Sequence, residues 1–121
     1  MPSTHVLIVE DSPTLSAVYG SYLANESYQL SFTENGSDAL DLIKNNPPKL
    51  LVLDLNLPDM DGMTILQYIH EQQIPTVVIV LTAHGSVDLA VDAMNFGAFD
   101  FICKPVEAKR LQITLRNASN N

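Results

Sequence analysis

The sequence predicts an α/β domain, a doubly wound five-stranded parallel sheet with helices on both faces. Three observations carry that prediction. Five apolar clusters alternate with five stretches of helical spacing along 121 residues. The clusters are near-continuous apolar runs, the pattern of strands covered on both faces, and right-handed crossovers then wind the helices around the sheet. No linker, internal repeat or low-complexity tract interrupts the chain, whose length fits one domain with a continuous core.

VLIV at 6–9 reads as a buried first strand. Leu15, Val18, Tyr19 and Tyr22 follow at the i, i+3, i+4, i+7 spacing of an amphipathic helix. Ser12 is its expected cap, and Pro13 fits its first turn, where no amide partner is lost. YQLSFTE at 28–34 is a more polar strand suited to a sheet edge. A second helix over 36–46 turns Ala39, Leu40 and Ile43 inward, and Asn45, Asn46, Pro47 and Pro48 end it. LLVLD at 50–54 is the third strand, followed by a helix over 63–71 with Ile65, Leu66 and Ile69 inward. VVIVL at 77–81 is the fourth strand. After it, Val87, Ala90, Val91 and Met94 repeat the helical spacing until Gly97 stops the helix. FDFIC at 99–103 is the fifth strand, and Ala108, Leu111 and Leu115 mark the last helix, with Ile113 off that stripe and expected at the surface.

Composition narrows the function classes. Hydrophobic residues at 46% and charged residues at 17% argue against disorder. Six basic against fourteen acidic residues give a net charge of −8. That sign disfavours direct binding to nucleic acid or anionic membrane and suits a protein that holds cations or meets basic partners. The one cysteine, Cys103, makes no internal disulfide, which fits a reducing compartment, and its apolar setting predicts a small buried core residue. No apolar run approaches membrane-spanning length, and MPSTHVLIVED lacks the basic start and cleavable core of a signal peptide. The expected location is the cytoplasm.

In a doubly wound sheet, ligands bind beyond the carboxyl ends of the strands. Strand one ends in Glu10-Asp11, strand three at Asp54, strand four in Thr82, and strand five in Cys103-Lys104-Pro105. Three carboxylates, a hydroxyl and an ammonium therefore converge on one edge. Singly, each has a plain structural reading, and Asp59 and Asp61 in PDMDG read as turn formers beside Pro58 and Gly62. Jointly they say more. The carboxylates would repel one another unless a cation intervenes, and Mg²⁺ takes carboxylates, carbonyls and phosphate oxygens. Lys104 offers a point charge for a phosphoryl oxygen, and Thr82 offers a donor. The set lacks general bases but suits holding a phosphoryl group on a carboxylate. Asp54, the one charge in the run LLVLDL, is the expected nucleophile.

LIVEDS, LLVLDLNLPDMDG, VIVLTAHGS and GAFDFICKP, in that order and spacing, resemble the receiver domain of two-component response regulators across the whole chain. The resemblance implies the strand order 2-1-3-4-5. It implies that Asp54 accepts a phosphoryl group from a phosphohistidine on a histidine kinase or phosphotransfer domain. It implies Mg²⁺ held by Glu10, Asp11, Asp54 and the Asn56 backbone carbonyl, with Asp11 the more direct of the acidic pair. Thr82 and Lys104 then engage the phosphoryl group, and Phe101 takes the place of the switch aromatic, acting through packing because it lacks a hydroxyl. A cis peptide between Lys104 and Pro105 is implied as well, as is a partner or dimer face on helix four, strand five and helix five.

More narrowly, GSVDLAVDAMNFGAFDFICKP is similar to the receivers of NtrC-class sigma-54-dependent transcription activators. VEDSPTLSAVYGSYL and LPDMDGM are similar to quorum-sensing regulators of the LuxO type. Such proteins continue into ATPase and DNA-binding domains, so residues 1–121 are expected to be the receiver alone, with the output absent. The implied chemistry is self-phosphorylation and slow autodephosphorylation rather than turnover of a substrate.

Two departures stand out: Glu10 where Asp is commoner, and His84, expected to be an exposed loop residue near the site that could tune hydrolysis. The rival readings fit less well. A degenerate receiver serving only as a binding module would lack an acidic, nucleophilic or lysine position, and none is lost. A haloacid-dehalogenase-type phosphatase would place an acid at Asn56, and a flavodoxin a phosphate cradle where Glu10-Asp11 stand.

Overall fold

Ten elements alternate along residues 3–120, the span that the computed structural model describes; Met1, Pro2 and Asn121, at the ends of the expected 1–121 domain, lie outside it. The strands are β1 (Thr4–Val9), β2 (Tyr28–Thr33), β3 (Leu50–Asp54), β4 (Val77–Thr82) and β5 (Asp100–Cys103). The helices are α1 (Pro13–Tyr22), α2 (Gly36–Asn45), α3 (Gly62–Glu71), α4 (Val87–Asn95) and α5 (Ala108–Ser119). All pairings are parallel, in the order β2-β1-β3-β4-β5, and β2 is an edge strand. Among the described residues no helix is long and apolar enough to cross a membrane.

Side chains alternate across a strand, and here the alternation divides two cores. Leu7 and Val9 of β1, Leu51 and Leu53 of β3, and Val78 and Val80 of β4 pack under α2, α3 and α4 with Ala39, Ile43, Ile65, Leu66, Ile69 and Ala93. Val6 and Ile8, Leu50 and Val52, and Ile79 and Leu81 face the other way, against Tyr19 of α1 and Leu111, Leu115 and Ala118 of α5. Leu7, Ile8, Leu51 and Val52 are fully buried. At about 1.5–3 kcal/mol for each such side chain, the central strands β1 and β3 are the best-anchored parts of the sheet.

Four helices start at capping side chains. Ser12 accepts from Leu15 N–H, Asn35 from Asp38 N–H, Asp61 from Met63 N–H and Ser86 from Leu89 N–H. Gly97, at φ 86°, ends the α4 segment in the left-handed region that a side chain disfavours.

One expectation is corrected. Cys103 is exposed rather than buried. It closes the edge strand β5 in register with Thr82, and its Sγ lies against Gly85 of the β4–α4 loop, where no helix covers it. In α4 the periodicity is helical, but the stripe at Val87, Val91 and Met94 faces solvent. The helix packs instead through Ala93, Leu89 and, just past its end, Phe96. Two apolar stripes share this helix, and spacing alone does not say which one the sheet takes.

The chain folds sharply behind Asp54. Gly62 N–H donates to Leu55 O at 2.9 Å, and an antiparallel bridge joins Asn56 to Asp61. A Cβ on Gly62 would stand 2.6 Å from the Asp54 carbonyl oxygen and 2.7 Å from Leu55 Cα, backbone atoms with nowhere to swing. Gly62→Ala should therefore cost about 1–3 kcal/mol of stability, read from the midpoint of urea unfolding. An unchanged or raised midpoint would mean that this loop is free to open.

Candidate functional site

The same alternation that divides the cores selects the members of the site. Glu10 continues the Val6–Ile8 side of β1, Asp54 the Leu50–Val52 side of β3, and Lys104 the Ile102 side of β5, so all three stand over the face covered by α1 and α5. Lys104 reaches from the β5 end past β4 to both acids. Its Nζ lies 2.7 Å from Glu10 Oε1 and 2.7 Å from Asp54 Oδ2. Glu10 and Asp54 are each only 1% exposed, and Asp11, next along the chain, is exposed. The peptide between Lys104 and Pro105 is cis.

An unpaired ion at such depth would cost several kcal/mol. One ammonium shared by two carboxylates, each with a further amide donor, offsets that penalty. Ser12 N–H donates to Glu10 Oε2 at 3.1 Å, and Asn56 N–H donates to Asp54 Oδ1 at 2.9 Å. Burial pushes the Glu10 carboxyl up, the bonds from Lys104 and Ser12 draw it partly back, and the neighbouring Asp11 and Asp54 add to the rise. Burial pulls Lys104 down, but its bonds to Asp54 and Glu10 and their charges outweigh it and hold the ammonium above the ordinary lysine value. Burial likewise lifts the Tyr19 hydroxyl, beneath the site, to about 12.

Two acids and the lysine leave the cluster with one net negative charge, and the exposed Asp11 adds another. Glu10, Asp11 and Asp54 each present a carboxylate oxygen, all within 4.8 Å of one another. Oxygen donors in that density suit a hard divalent cation such as Mg²⁺. Asn56 lies exposed at the rim two residues after Asp54.

Thr82 and Phe101 stand apart from this group. They continue the Val78–Val80 side of the sheet, toward α3 and α4, and Phe101 packs against that core. The Thr82 hydroxyl accepts the His84 N–H at 3.1 Å, and among the described residues no hydrogen bond joins it to Asp54 or Lys104. The His84 residue itself is exposed. Gly85 lies over Phe101 and Cys103, so the β4–α4 loop rests on the end of β5.

The two aspartates read as turn formers do more than turn the chain. Asp61 caps α3, and an Asp just before an apolar-periodic run is a legible cap signal. Asp59 accepts from Gly36 N–H at 2.8 Å and Ser37 N–H at 2.9 Å, tying the loop after Asp54 to the start of α2. The bond from Gly36, joined by that from Ser37, outweighs the opposing push of desolvation and leaves the Asp59 carboxyl below its usual range. No local pattern marks Asp59, because its partners lie more than twenty residues back. Tyr22 O–H similarly crosses from α1 to Val106 O at 3.1 Å and steadies the loop that carries Lys104.

Residues 6–116 match the family model of the response regulator receiver domain. The chain is 43% identical over 111 residues to the regulatory protein LuxO of Vibrio cholerae, covering 92% of this chain and 24% of that protein. It is 36% identical over 114 residues to the transcriptional regulatory protein GlrR of Escherichia coli K12, covering 94% of this chain and 26% of that one. The chain thus spans about a quarter of the length of these relatives. Its structure superposes with a TM-score of 0.96 on the signal receiver domain described as that of a LuxO repressor from Vibrio parahaemolyticus, at 44% identity, covering 98% of this chain and 92% of that one. The receiver domain of NtrC4, solved as a beryllofluoride-activated dimer, superposes at 0.89 with 34% identity and 96% coverage of both chains.

The raised Lys104 value sets the sign of a pH effect. The clamp's contribution to stability is complete below the ordinary lysine value of 10.5 and is lost only as pH climbs through the higher folded value. The Lys104 side-chain resonance in an NMR titration should accordingly stay at its protonated position past pH 10.5. A midpoint at or below that pH would show that the clamp is not formed in solution.

Proposed function

The chain belongs to the response regulator receiver domain family, and on that footing we propose that Asp54 is its phosphoacceptor, taking a phosphoryl group from phosphohistidine. The observation that supports this most is the placing of a buried carboxylate, Asp54, at a strand end with a lysine on one oxygen and an amide on the other. One carboxylate oxygen attacks phosphorus while the P–N bond to the donor imidazole breaks, and the electron pair leaves on that nitrogen. Lys104 stands where it meets the charge of the phosphoryl oxygens. Asp11, Asp54, Glu10 and the Asn56 carbonyl are the groups that would hold Mg²⁺. When bound, that ion supplies the positive charge that lets an anionic phosphoryl group approach acids.

Thr82 and Phe101 form the switch in this reading. A phosphoryl group on Asp54 offers the Thr82 hydroxyl, which now accepts the His84 N–H, an acceptor for its own proton. Movement of Thr82 toward it shifts the β4–α4 loop that rests on Phe101 and Cys103. Phosphorylation acts by the contacts it makes in one of two states, not by turnover. Val87, Val91, Met94 and Ile113 form the exposed apolar part of α4 and α5 and are the proposed face for self-association or for the output.

The span 1–121 is read as the receiver of a longer cytoplasmic regulator, of the quorum-sensing, sigma-54-dependent kind, that controls ATPase and DNA-binding domains. Its partners are a histidine kinase or phosphotransfer domain and that output. The net charge of −8 speaks against nucleic-acid binding by this domain itself. Beyond self-phosphorylation and slow autodephosphorylation, no enzymatic activity is proposed.

Intact-protein mass spectrometry after acetyl phosphate treatment tests the reading. One phosphoryl adduct should form with Mg²⁺, vanish with chelator, and be absent in Asp54→Ala. Failure with both acetyl phosphate and a phosphorylated kinase partner, Mg²⁺ present, would leave a binding module. Ile113→Ser should weaken phosphorylation-dependent self-association or output binding in sedimentation experiments while phosphoryl uptake is unchanged. Unaltered association in that variant would remove Ile113 from the face.

A further inference from the structure

Asn35 is the one asparagine of the chain followed by glycine. With no side chain on Gly36, nothing local hinders its nitrogen from attacking the Asn35 side-chain carbonyl carbon. The fold restrains both partners of that reaction. Gly36 N–H donates to Asp59 Oδ1 at 2.8 Å, and Ser37 N–H donates to Asp59 Oδ2 at 2.9 Å. An amide nitrogen attacks only after losing its proton. The Asp59 carboxylate covers that proton and repels the negative charge that its loss would create. The Asn35 side chain is tied as well: Oδ1 accepts from Asp38 N–H at 2.8 Å, and Nδ2 donates to Asp38 Oδ2 at 3.1 Å. Met60 lies over the buried Gly36, where an added Cβ would meet its Cγ and Sδ. Asp59 and Met60 belong to the loop after Asp54, whereas Asn35 and Gly36 open α2. Whether that loop is seated therefore decides whether the Gly36 nitrogen is free.

We propose that Asn35 is a latent deamidation site gated by Asp59. While the loop is seated, the pair is inert. When Asp59 releases Gly36, the amide nitrogen gives its proton to hydroxide and bonds to Asn35 Cγ. The bond from Cγ to Nδ2 then breaks, and the side-chain nitrogen takes a proton from water and leaves as ammonia. Water opens the resulting succinimide at either carbonyl, giving aspartate or isoaspartate. The net reaction consumes one water and releases one ammonia. Either product ends the donation to Asp38 and sets a new carboxylate beside that of Asp38. Isoaspartate also lengthens the main chain at the cap of α2, which works against reseating of the loop. The inference does not depend on the phosphoacceptor reading.

The test is prolonged incubation of wild type, Asp59→Ala, Asp59→Asn and Ile79→Val at mildly alkaline pH. Peptide mapping then separates asparagine, aspartate and isoaspartate at position 35. Ile79→Val lowers global stability from the core on the other face of the sheet and leaves the latch intact. Wild type unfolded in urea gives the rate of the unrestrained pair. Hydrogen exchange at the Gly36 amide is scored in parallel, because exchange and deamidation pass through the same deprotonated nitrogen. Folded wild type should convert far more slowly than the unfolded chain. Asp59→Ala should convert roughly tenfold faster than wild type, the scale of losing a charge-assisted bond. Asp59→Asn should fall between, Gly36 exchange should rise in step, and Ile79→Val should match wild type.

An Asp59→Ala rate no higher than that of wild type overturns the proposal, as does a wild-type rate equal to that of the unfolded chain. So does equal acceleration in Ile79→Val, which would put global unfolding in place of the latch. Aspartate formed without isoaspartate would mean direct hydrolysis by water and would sink the route through Gly36.

Discussion

A lysine ammonium held between two buried carboxylates is the interaction on which the arrangement of the domain turns. Without Lys104, Glu10 and Asp54 would be two like charges side by side at the edge of an apolar core, each 1% exposed. Without them, Lys104 would be a half-buried cation at the end of an edge strand. The clamp ties the end of β5 to the ends of β1 and β3, strands to which the sheet's hydrogen bonds do not connect it directly. It also leaves a net negative charge at the rim, next to Asp11, a sign and donor set that suit a cation.

The sheet keeps the charged clamp and the proposed switch pair on opposite faces. Glu10, Asp54 and Lys104 stand over α1 and α5, whereas Thr82 and Phe101 stand toward α3 and α4. On the proposed function, events at Asp54 reach α4 over the carboxyl edge of the sheet, by way of Thr82 and the loop at Gly85. The surface beyond that loop carries Val87, Val91 and Met94, apolar groups that the resting fold leaves in solvent. Such a stripe on a monomer marks a contact surface more often than chance exposure does.

The loop after Asp54 is held from three sides: Gly62 against the backbone of β3, Asp61 at the start of α3, and Asp59 across to α2. These contacts keep the Asn56 amide on Asp54 Oδ1 and fix where the neighbouring carbonyl can be offered. Asp59, though exposed, thereby couples the site to a helix that contributes no side chain to it.

The sequence by itself determined the order of elements, the parallel sheet, and the set of residues at its carboxyl edge. All of these follow from local periodicity and from the rule that strand ends carry the ligands. Asp11, Asp54, Thr82 and Lys104 were legible because charged or hydroxyl groups end apolar runs, and the resemblance to receivers gave them roles. Tertiary structure alone decided the rest. Whether α4 buries Val91 or Leu89 depends on which stripe the sheet meets, and helical spacing serves both equally. Cys103 looks like a core residue in FDFIC and is exposed because β5 is an edge strand under a loop. The grip of Glu10 on Lys104, and that of Asp59 on α2, join groups far apart in the chain. Such contacts are set by where strands and helices come to lie, and no local pattern of residues encodes them.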